Sequence, residues 1–291
     1  MYKIIAIDLD GTLLNSRGEV SIENKKAIKA AKGQGIDVVL ASGRVSDSVL
    51  NIAKDIGADK YFICGNGSMI YDIQKDEIVY ENVIDKNKIL KLIQMCDENS
   101  IYYSIYTEDA VVTKSINYHV AVYNYENTKK SDDKKTRINI VEDVYKYVEN
   151  SDNDKYLKMT ICDNSKIIFN GIIKKFQNIP DIDILEVSHM SRKHIKSGTD
   201  DVELNYYYTE ITNKNVDKWY AIEELAKLKN ISISETMAIG DNMNDFLMIK
   251  NSGNGIAMGN GNPIVKEIAD FVTKDNDEDG VAVAINNILN N

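Results

Sequence analysis

Four short polar segments of this 291-residue chain each follow an apolar run, and their residue types suit the chemistry of phosphate esters. The first segment is Asp8-Leu9-Asp10-Gly11-Thr12. One carboxylate of such a pair can attack phosphorus and form an aspartyl phosphate, while the other protonates the leaving oxygen and later deprotonates water. Side chains two apart on a strand share a side, so Asp8 and Asp10 are predicted to face one reaction centre. Gly11 and Thr12 can offer backbone N–H groups to phosphate; a solvated strand end with a turn is the alternative.

The second and third segments supply smaller parts of a phosphate site. Ser42, Gly43 and Arg44 follow the apolar run 36–41, and a hydroxyl beside a glycine at a strand end forms an anion-binding corner. Lys218 stands at the start of a predicted helix, 219–228, where its ammonium group can neutralise phosphate charge and steady a carboxylate nucleophile. Each signal is weak alone, because serine and glycine are common in loops and the chain contains many lysines.

The fourth segment, 240–245, has the sequence GDNMND and again follows an apolar run. Carboxylates at a strand end and in the following turn suit a hard cation with oxygen ligands, and we expect Mg²⁺ there. Asp241 can complete such a site with Asp8 and the main-chain carbonyl of Asp10. The cation would then shield the approach of an anionic phosphate to an anionic nucleophile. An ordinary helix cap within the segment is the alternative.

A sheet of parallel strands is needed to bring these four segments together. Strands are predicted at 3–10, 36–41 and 61–64, with helices between them at 21–32 and 46–56. Connections of this length imply βαβ units, and ligands of open parallel sheets bind at the carboxyl ends of the strands. Strands and helices are again predicted to alternate from residue 236 onward. The predicted fold class is therefore α/β, with a Rossmann-like parallel-sheet core.

The middle of the chain has a different sequence pattern. A helix is predicted at 85–99, and the strands after it alternate in polarity or are rich in tyrosine, at 102–106, 110–113, 156–162, 184–190 and 202–208. This pattern predicts an α+β unit with an antiparallel sheet. The simplest organisation is a discontinuous core, 1–82 and 210–291, with a second domain inserted at 83–209.

The composition disfavours several classes of protein. Lys and Arg total 35 against 45 Asp and Glu, a net charge of −10, which disfavours nucleic acid as a partner. No apolar run approaches the ~18 residues of a membrane span. The N-terminus has no export-signal pattern, so we expect a cytoplasmic protein. We further expect it to be a monomer or a weak homodimer. The cysteines Cys64, Cys96 and Cys162 form no CxxC pair, so neither a disulfide framework nor a zinc site is supported.

Three further features are interpreted as structural. The segment 253–261, GNGIAMGNG, fits neither common glycine-rich nucleotide loop and is interpreted as a strand with flanking turns. His189 and His194 have no acid or cysteine at metal-ligand spacing and are interpreted as loop or surface residues. The tyrosine-rich stretches 118–125 and 206–208 are expected to pack within the inserted domain, although one or two of the rings can touch substrate.

Taken in order, DLDGT, SGR, a lysine and GDNMND resemble the motifs of the haloacid dehalogenase superfamily of aspartate-dependent phosphohydrolases. The chain looks like the Cof-type subfamily, class IIB, which carries a large α+β cap of the C2B type between its second and third motifs. The run Cys64-Gly65-Asn66-Gly67 and the C-terminal pattern 255–281 support this narrower resemblance. The resemblance covers 1–82 and 210–291 in detail and the middle only in architecture.

This resemblance implies a role for each matching residue. Asp8 would be the nucleophile, Asp10 the general acid and base, and Lys218 the catalytic lysine. Mg²⁺ would be held by Asp8, the backbone of Asp10 and Asp241, with Asp245 supporting them. The phosphoryl group and the rest of the substrate would be bound by Gly11, Thr12, Ser42, Gly43, Arg44, Asn66 and Asn244.

Two places depart from the family pattern. The family usually places glycine after the lysine of its third motif, and this chain has Trp219, which either packs on the core or narrows the cleft. Lys214 is a second candidate for the catalytic lysine, although the spacing to the helix favours Lys218. The polar stretch 191–201 is longer than the family pattern.

The leading hypothesis is a Mg²⁺-dependent phosphatase that hydrolyses a small phosphorylated metabolite, such as a sugar phosphate or a phosphorylated cofactor, through an aspartyl phosphate. A phosphotransferase or sugar phosphomutase of similar fold is the first alternative. A mutase must bind a second phosphate group from its cap. Arg137 and Arg192 are the only arginines of the inserted domain, which disfavours this alternative. A non-catalytic phospholigand-binding regulator is the second alternative, which is disfavoured by the joint presence of Asp8, Asp10, Lys218 and Asp241.

Overall fold

A computed structural model describes residues 2–58, 60–129, 135–185, 191–197 and 200–289. The chain divides into two compact units, Met1–Glu81 with Val216–Asn291 and Asn82–Asn215. The second unit continues past the predicted boundary at 209 because its longest strand ends only at Asn213. No helix among the described residues is long and apolar enough to cross a membrane.

The first unit is built on an eight-stranded sheet. Its strands, in chain order, are β1 Ile4–Ile7, β2 Asp37–Ala41, β3 Tyr61–Cys64, β4 Met69–Asp72, β5 Glu77–Glu81, β15 Thr236–Gly240, β16 Asn254–Ala257 and β17 Phe271–Val272. Their order across the sheet is β17-β16-β15-β1-β2-β3-β4-β5. All pairs from β17 to β3 are parallel, and β4 and β5 add an antiparallel edge. This arrangement confirms the predicted α/β class.

Local signals explain where the helices of this unit begin and end. They are α1 Ile22–Gly33, α2 Ser46–Ile56, α7 Lys218–Leu228, α8 Phe246–Asn251, α9 Pro263–Ile268 and α10 Gly280–Leu289. The Ser21 side chain caps α1 by accepting from Asn24 N–H, and Gly57 ends α2 in a left-handed conformation. Trp219 is only 8% exposed and belongs to the apolar cluster of this unit, so it packs on the core.

The second unit contains a seven-stranded, mainly antiparallel sheet, a smaller two-stranded sheet and, among its described residues, four α-helices. Its strands are β6 Ile84–Asp85, β7 Tyr102–Tyr106, β8 Ala110–Thr113, β9 Arg137–Ile140, β10 Lys155–Tyr156, β11 Lys158–Asp163, β12 Ile182–Ile184, β13 Ser191–Ser197 and β14 Asp200–Asn213. The order across the larger sheet is β12-β14-β11-β7-β8-β9, while β13 pairs with β14 and β6 with β10. The helices are α3 Lys86–Glu98, α4 Tyr118–Asn127, α5 Val144–Glu149 and α6 Lys166–Phe176.

Side chains alternate across this sheet as an antiparallel strand pattern requires. One face carries Ile105, Met159 and Ile211, which form an apolar cluster with residues of α3, α5 and α6. Tyrosine rings of α4 and β14 contact one another, as in the pair Tyr118 and Tyr206 at 5.3 Å between centroids. The prediction that these tyrosines pack within the unit agrees with that contact.

Two predictions for the second unit need correction or fall outside the description. His194, interpreted as a loop or surface residue, instead lies in β13, which is antiparallel to β14 with Ser191 paired to Tyr206 and Ser197 to Asp200. The strand predicted at 184–190 overlaps β12 only at Ile184, where β12 ends. Residues 186–190, with His189, lie outside the described residues.

Candidate active site

Asp8 lies where the first strand of the core sheet ends. β1 ends one residue earlier, level with Leu40 of β2 and Ile239 of β15, so three adjacent strands end together there. The Asp8 side chain is buried, and its backbone N–H donates to the Ile239 carbonyl (3.0 Å). The chain then turns, because Leu13 N–H donates to the Asp8 carbonyl (3.2 Å). Strand alternation, on which the prediction for Asp8 and Asp10 relied, therefore does not set their directions; the turn does.

Lys218 makes two ion pairs inside the core. It is the first residue of α7, whose N-terminus is capped by Asp217, and its side chain is fully buried. Its Nζ atom lies 2.5 Å from Oδ1 of Asp8 and 2.7 Å from Oδ1 of Asp245. Burial alone would lower the pKa of Lys218, but the carboxylates of Asp245 and Asp8 raise it, so the ammonium group stays charged. The alternative Lys214 belongs to the second unit.

A glycine allows Asp241 to approach the loop that follows Asp8. Gly11 has a φ of +87°, and a Cβ atom there would lie 2.5 Å from Oδ2 of Asp241. Glycine is therefore needed both for the left-handed backbone and for the close approach. Thr12 is fully buried and donates from Oγ1 to Oδ1 of Asp241 (3.2 Å). Its N–H donates to the Leu9 carbonyl (3.3 Å), so the predicted contact of this N–H with phosphate is not open in this arrangement.

Asp8, Asp241 and Asp245 form a group of carboxylates that fits a cation. One oxygen from each lies within 4.8 Å of the others. Burial raises the pKa of Asp8 well above its ordinary value, with Asp245 raising it further and Lys218 opposing them. Burial, followed by the charge of Asp245, raises the pKa of Asp241 to about 7. Three carboxylates and one lysine leave the site short of positive charge, and oxygen ligands of this kind suit Mg²⁺.

Asp245 also shapes the backbone next to this group. Its Oδ1 accepts from Lys218, and its Oδ2 accepts from the N–H groups of Asp241 and Asn242 at 3.0 and 3.1 Å. Gly240 makes room for it, since a Cβ atom there would lie 2.5 Å from the Asp245 Cβ. The short helical turn Met243–Asp245 precedes α8, which begins at Phe246.

Asp10 and Arg44 form a two-point ion pair. Arg44 donates from Nε to Oδ2 of Asp10 (2.8 Å) and from Nη2 to Oδ1 (2.5 Å). Such paired contacts fix the plane of a carboxylate as well as its position. The Asp10 side chain is 59% exposed and that of Arg44 is 18% exposed. Arg44, predicted to contact phosphate, therefore contacts the predicted general acid and base.

Ser42, Gly43, Asn66 and Asn244 are brought together at the edge of the same site. The Ser42 carbonyl accepts from Asn66 N–H (2.9 Å), and its Oγ accepts from Arg44 N–H (3.2 Å). A Cβ atom on Gly43 would lie 2.8 Å from Oδ1 of Asn66, so the two loops touch. Oδ1 of Asn66 also accepts from Nδ2 of Asn244 (3.4 Å). All the predicted site residues of the core thus lie in one connected region.

Sequence reasoning missed three residues that border this site. Asp217 caps the helix of Lys218, and burial raises its pKa to about 6. Asn260 donates from Nδ2 to the Gly11 carbonyl (2.8 Å), and Asn262 N–H donates to the Asp241 carbonyl (2.7 Å). An aspartate before a predicted helix is a recognisable cap signal, whereas Asn260 lies in the segment 253–261, interpreted as a strand with flanking turns, and Asn262 follows it directly.

Comparison with known proteins identifies the family. Residues 5–285 match the model of the haloacid dehalogenase-like hydrolases. The chain belongs to this family. Its place in the Cof-type subfamily, expected from the inserted α+β domain, the run 64–67 and the C-terminal pattern 255–281, is confirmed by the same match.

Relatives of this hydrolase are similar over the whole chain. Phosphatase YwpJ from Bacillus subtilis (strain 168) is 30% identical over 99% of this chain and 100% of its own length. The 5-amino-6-(5-phospho-D-ribitylamino)uracil phosphatase YcsE from the same organism is 29% identical over 97% of this chain and 94% of its own length. A solved haloacid dehalogenase-like hydrolase from B. subtilis has a TM-score of 0.80 and 27% identity, covering 98% of this chain and 99% of that one. The Cof-type hydrolase described here is therefore a phosphatase, which confirms the predicted enzyme class.

Proposed function

We propose that this phosphatase hydrolyses small phosphorylated metabolites, with Asp8 as its nucleophile and Mg²⁺ as its cofactor. The observation that carries the proposal is the buried group in which Lys218 contacts Asp8 and Asp245, with Asp241 beside them. A buried lysine with two carboxylate partners holds the nucleophile in one orientation. It also places positive charge where an anionic phosphoryl group would arrive.

In the first half of the reaction, a carboxylate oxygen of Asp8 bonds to phosphorus, and the bond from phosphorus to the ester oxygen breaks. Asp10 gives a proton to that oxygen, so the alcohol leaves without charge. Arg44 holds the ionised form of Asp10 at two points, so Asp10 must release one of these hydrogen bonds to carry the proton that it delivers. Lys218 offsets the negative charge of the group in transfer.

In the second half, a water oxygen bonds to phosphorus and the bond from phosphorus to Asp8 breaks. Asp10, now a carboxylate, takes a proton from this water, which returns both acids to their starting states. Inorganic phosphate is the second product. Asp10 argues for hydrolysis rather than storage of the phosphoryl group, because storage is served by a nucleophile with no acid and base beside it.

The magnesium ion would be held by Asp8, Asp241 and the backbone carbonyl of Asp10. When bound, it supplies positive charge that reduces the repulsion between an anionic nucleophile and an anionic substrate. Asp245 supports the site through its bonds to the backbone of Asp241 and Asn242.

We further propose that the second unit, Asn82–Asn215, is the cap that selects the substrate. The chain's likeness to a phosphatase named for a phosphorylated ribityl compound supports a phosphate ester on a sugar-like chain as the substrate class. A phosphorylated cofactor is also a small phosphate ester, and we include it in the proposed substrate class.

A phosphate-release screen over phosphorylated metabolites with Mg²⁺ tests this proposal, comparing the wild type with Asp8→Asn. We expect release from a subset of sugar-like substrates and a decrease of roughly 10³-fold or more in the variant, because the amide cannot act as the nucleophile. Asp154→Asn makes the same chemical change on the surface of the second unit and should keep full activity. Equal release by the wild type and Asp8→Asn would refute the assignment of the nucleophile.

The covalent intermediate needs a separate test. Borohydride reduces an acyl phosphate to the alcohol, so treatment during turnover should convert Asp8 to homoserine, which peptide mass mapping detects. Modification at another carboxylate, or none at full occupancy with substrate, would contradict the proposed intermediate.

A further inference from the structure

The loop Gly259–Asn262, between β16 and α9, contacts both halves of the proposed metal site. Asn260 donates from Nδ2 to the Gly11 carbonyl (2.8 Å), and Asn262 N–H donates to the Asp241 carbonyl (2.7 Å). We propose that Asn260 is a positioning residue, which holds the loop after Asp8 against the loop of Asp241 and thereby sets the affinity for Mg²⁺. This inference rests on the proposed function.

A hydrogen bond to the Gly11 carbonyl affects the Asp241 carboxylate, because Gly11 lies directly against it. The left-handed Gly11 lies against the Asp241 carboxylate, with only 2.5 Å between Oδ2 and the place that a Cβ atom would occupy. A hydrogen bond to the Gly11 carbonyl fixes the plane of the peptide that joins Gly11 to Thr12. Thr12 in turn donates to Oδ1 of Asp241. Rotation of this peptide would therefore displace both contacts of the Asp241 carboxylate with the loop.

Asn260 is itself held in the orientation that this contact needs. Its Oδ1 accepts from Asn276 N–H (2.9 Å), which leaves Nδ2 directed at Gly11. Asn276 in turn donates from its own Nδ2 to the Leu14 carbonyl (2.9 Å). Each of the two amide atoms of this exposed asparagine thus makes a hydrogen bond to a backbone group.

Partner residues that orient the ligands of a metal typically change its affinity by 10- to 100-fold when they are removed. Asn260 acts on a ligand loop rather than on a ligand, so we expect the lower end of this range. A merely structural contact would change thermal stability but leave the dissociation constant for Mg²⁺ unaltered. The magnesium affinity therefore separates positioning from simple support of the fold.

Asn276→Ala provides a matched control. It deletes an amide-to-carbonyl hydrogen bond of the same type and to the same loop, but its backbone N–H still orients Asn260. Asn260→Leu complements Asn260→Ala, because it removes the amide donor while filling a similar volume. The two Asn260 variants should behave alike if the lost hydrogen bond is the cause.

Isothermal titration calorimetry with MgCl₂ tests the proposal on the whole chain. We expect Asn260→Ala and Asn260→Leu to bind Mg²⁺ about tenfold more weakly than the wild type, and Asn276→Ala to remain within about twofold of it. The Mg²⁺ concentration for half-maximal phosphate release should increase by the same factor. Unchanged affinity in both Asn260 variants, or an equal loss in Asn276→Ala, would overturn the positioning role alone. A wild type that binds no Mg²⁺ would instead refute the proposed function and this inference with it.

Discussion

Asp241→Asn measures how much the charge of the metal-free site destabilises the core. The amide has almost the shape of the carboxyl group, and its Oδ1 can keep the hydrogen bond from Thr12. It removes one negative charge from a buried group in which Lys218 is the cation shared by Asp8 and Asp245. We therefore expect this variant to be more stable than the wild type when Mg²⁺ is absent.

The magnitude follows from the raised pKa of Asp241. Burial and Asp245 move it from 3.8 to about 7, and a tenfold change in proton affinity corresponds to about 1.4 kcal/mol. The folded protein therefore holds this proton more tightly than the unfolded chain, and the free energy of unfolding falls as the pH rises from about 4 to 7. The resulting advantage of Asp241→Asn should grow from roughly 2 kcal/mol at pH 5 to roughly 4 kcal/mol at pH 8.

Urea unfolding with EDTA provides the measurement. Trp219 is the only tryptophan and is buried in the core of the first unit, so its fluorescence reports the unfolding of the unit that contains Asp241. Asp154→Asn, in the second unit, is the matched control and should not differ from the wild type at either pH. Adding Mg²⁺ at pH 8 should stabilise the wild type by mass action but not Asp241→Asn, which lacks a ligand.

Two results would refute this reasoning. If Asp241→Asn unfolds at the same or a lower urea concentration than the wild type at pH 8, the charge of Asp241 is already balanced. Its advantage could also be equal at pH 5 and pH 8, in which case the gain would come from packing rather than from removal of a titrating charge.

Lys218→Met should leave two buried carboxylates without their cation, and a loss of roughly 3–5 kcal/mol in the free energy of unfolding at pH 8 is expected, together with loss of phosphate release. A loss below about 1 kcal/mol in the same urea experiment would contradict this. Asp37→Ala removes a buried carboxylate at the start of β2, the opposite end of the strand from Ser42, where it pairs with two partly exposed lysines. We expect about 1–2 kcal/mol of destabilisation with unchanged activity, and a change in Mg²⁺ affinity would count against it.

Elements with strong local signals could be predicted residue by residue. The helix predicted at 46–56 and the strand predicted at 61–64 have the observed limits of α2 and β3. The apolar pattern that ends at Gly57 specifies the end of α2, because the left-handed conformation of that glycine stops the helix. The assembly of Asp8, Ser42 and Asp241 at one edge was predictable for a similar reason, since parallel strands carry their carboxyl ends to the same side.

Contacts between distant loops could not be predicted from local signals. Asn260 is 249 positions from Gly11, and Arg44 is 34 positions from Asp10. Nothing in the run GNGIAMGNG distinguishes an asparagine that holds a carbonyl from one that ends a turn. β13 was missed for another reason, because Ser191–Ser197 lacks the apolar alternation that marks a strand. Its pairing with β14 is made by backbone hydrogen bonds, which leave no signature in residue type.

The charge arrangement links the proposed magnesium site of this phosphatase to its stability. Burial raises the pKa of both Asp8 and Asp241, whereas the carboxylates of Asp245 and Asp8 raise that of Lys218 despite its burial. Without a metal ion, binding a proton is the energetically most favourable way to reduce the remaining negative charge near neutral pH. A divalent cation that occupies the same place must displace that proton, so its affinity increases with pH until the carboxyl groups are ionised. The acids that make the core less stable alone are therefore the same ones that form the proposed magnesium site.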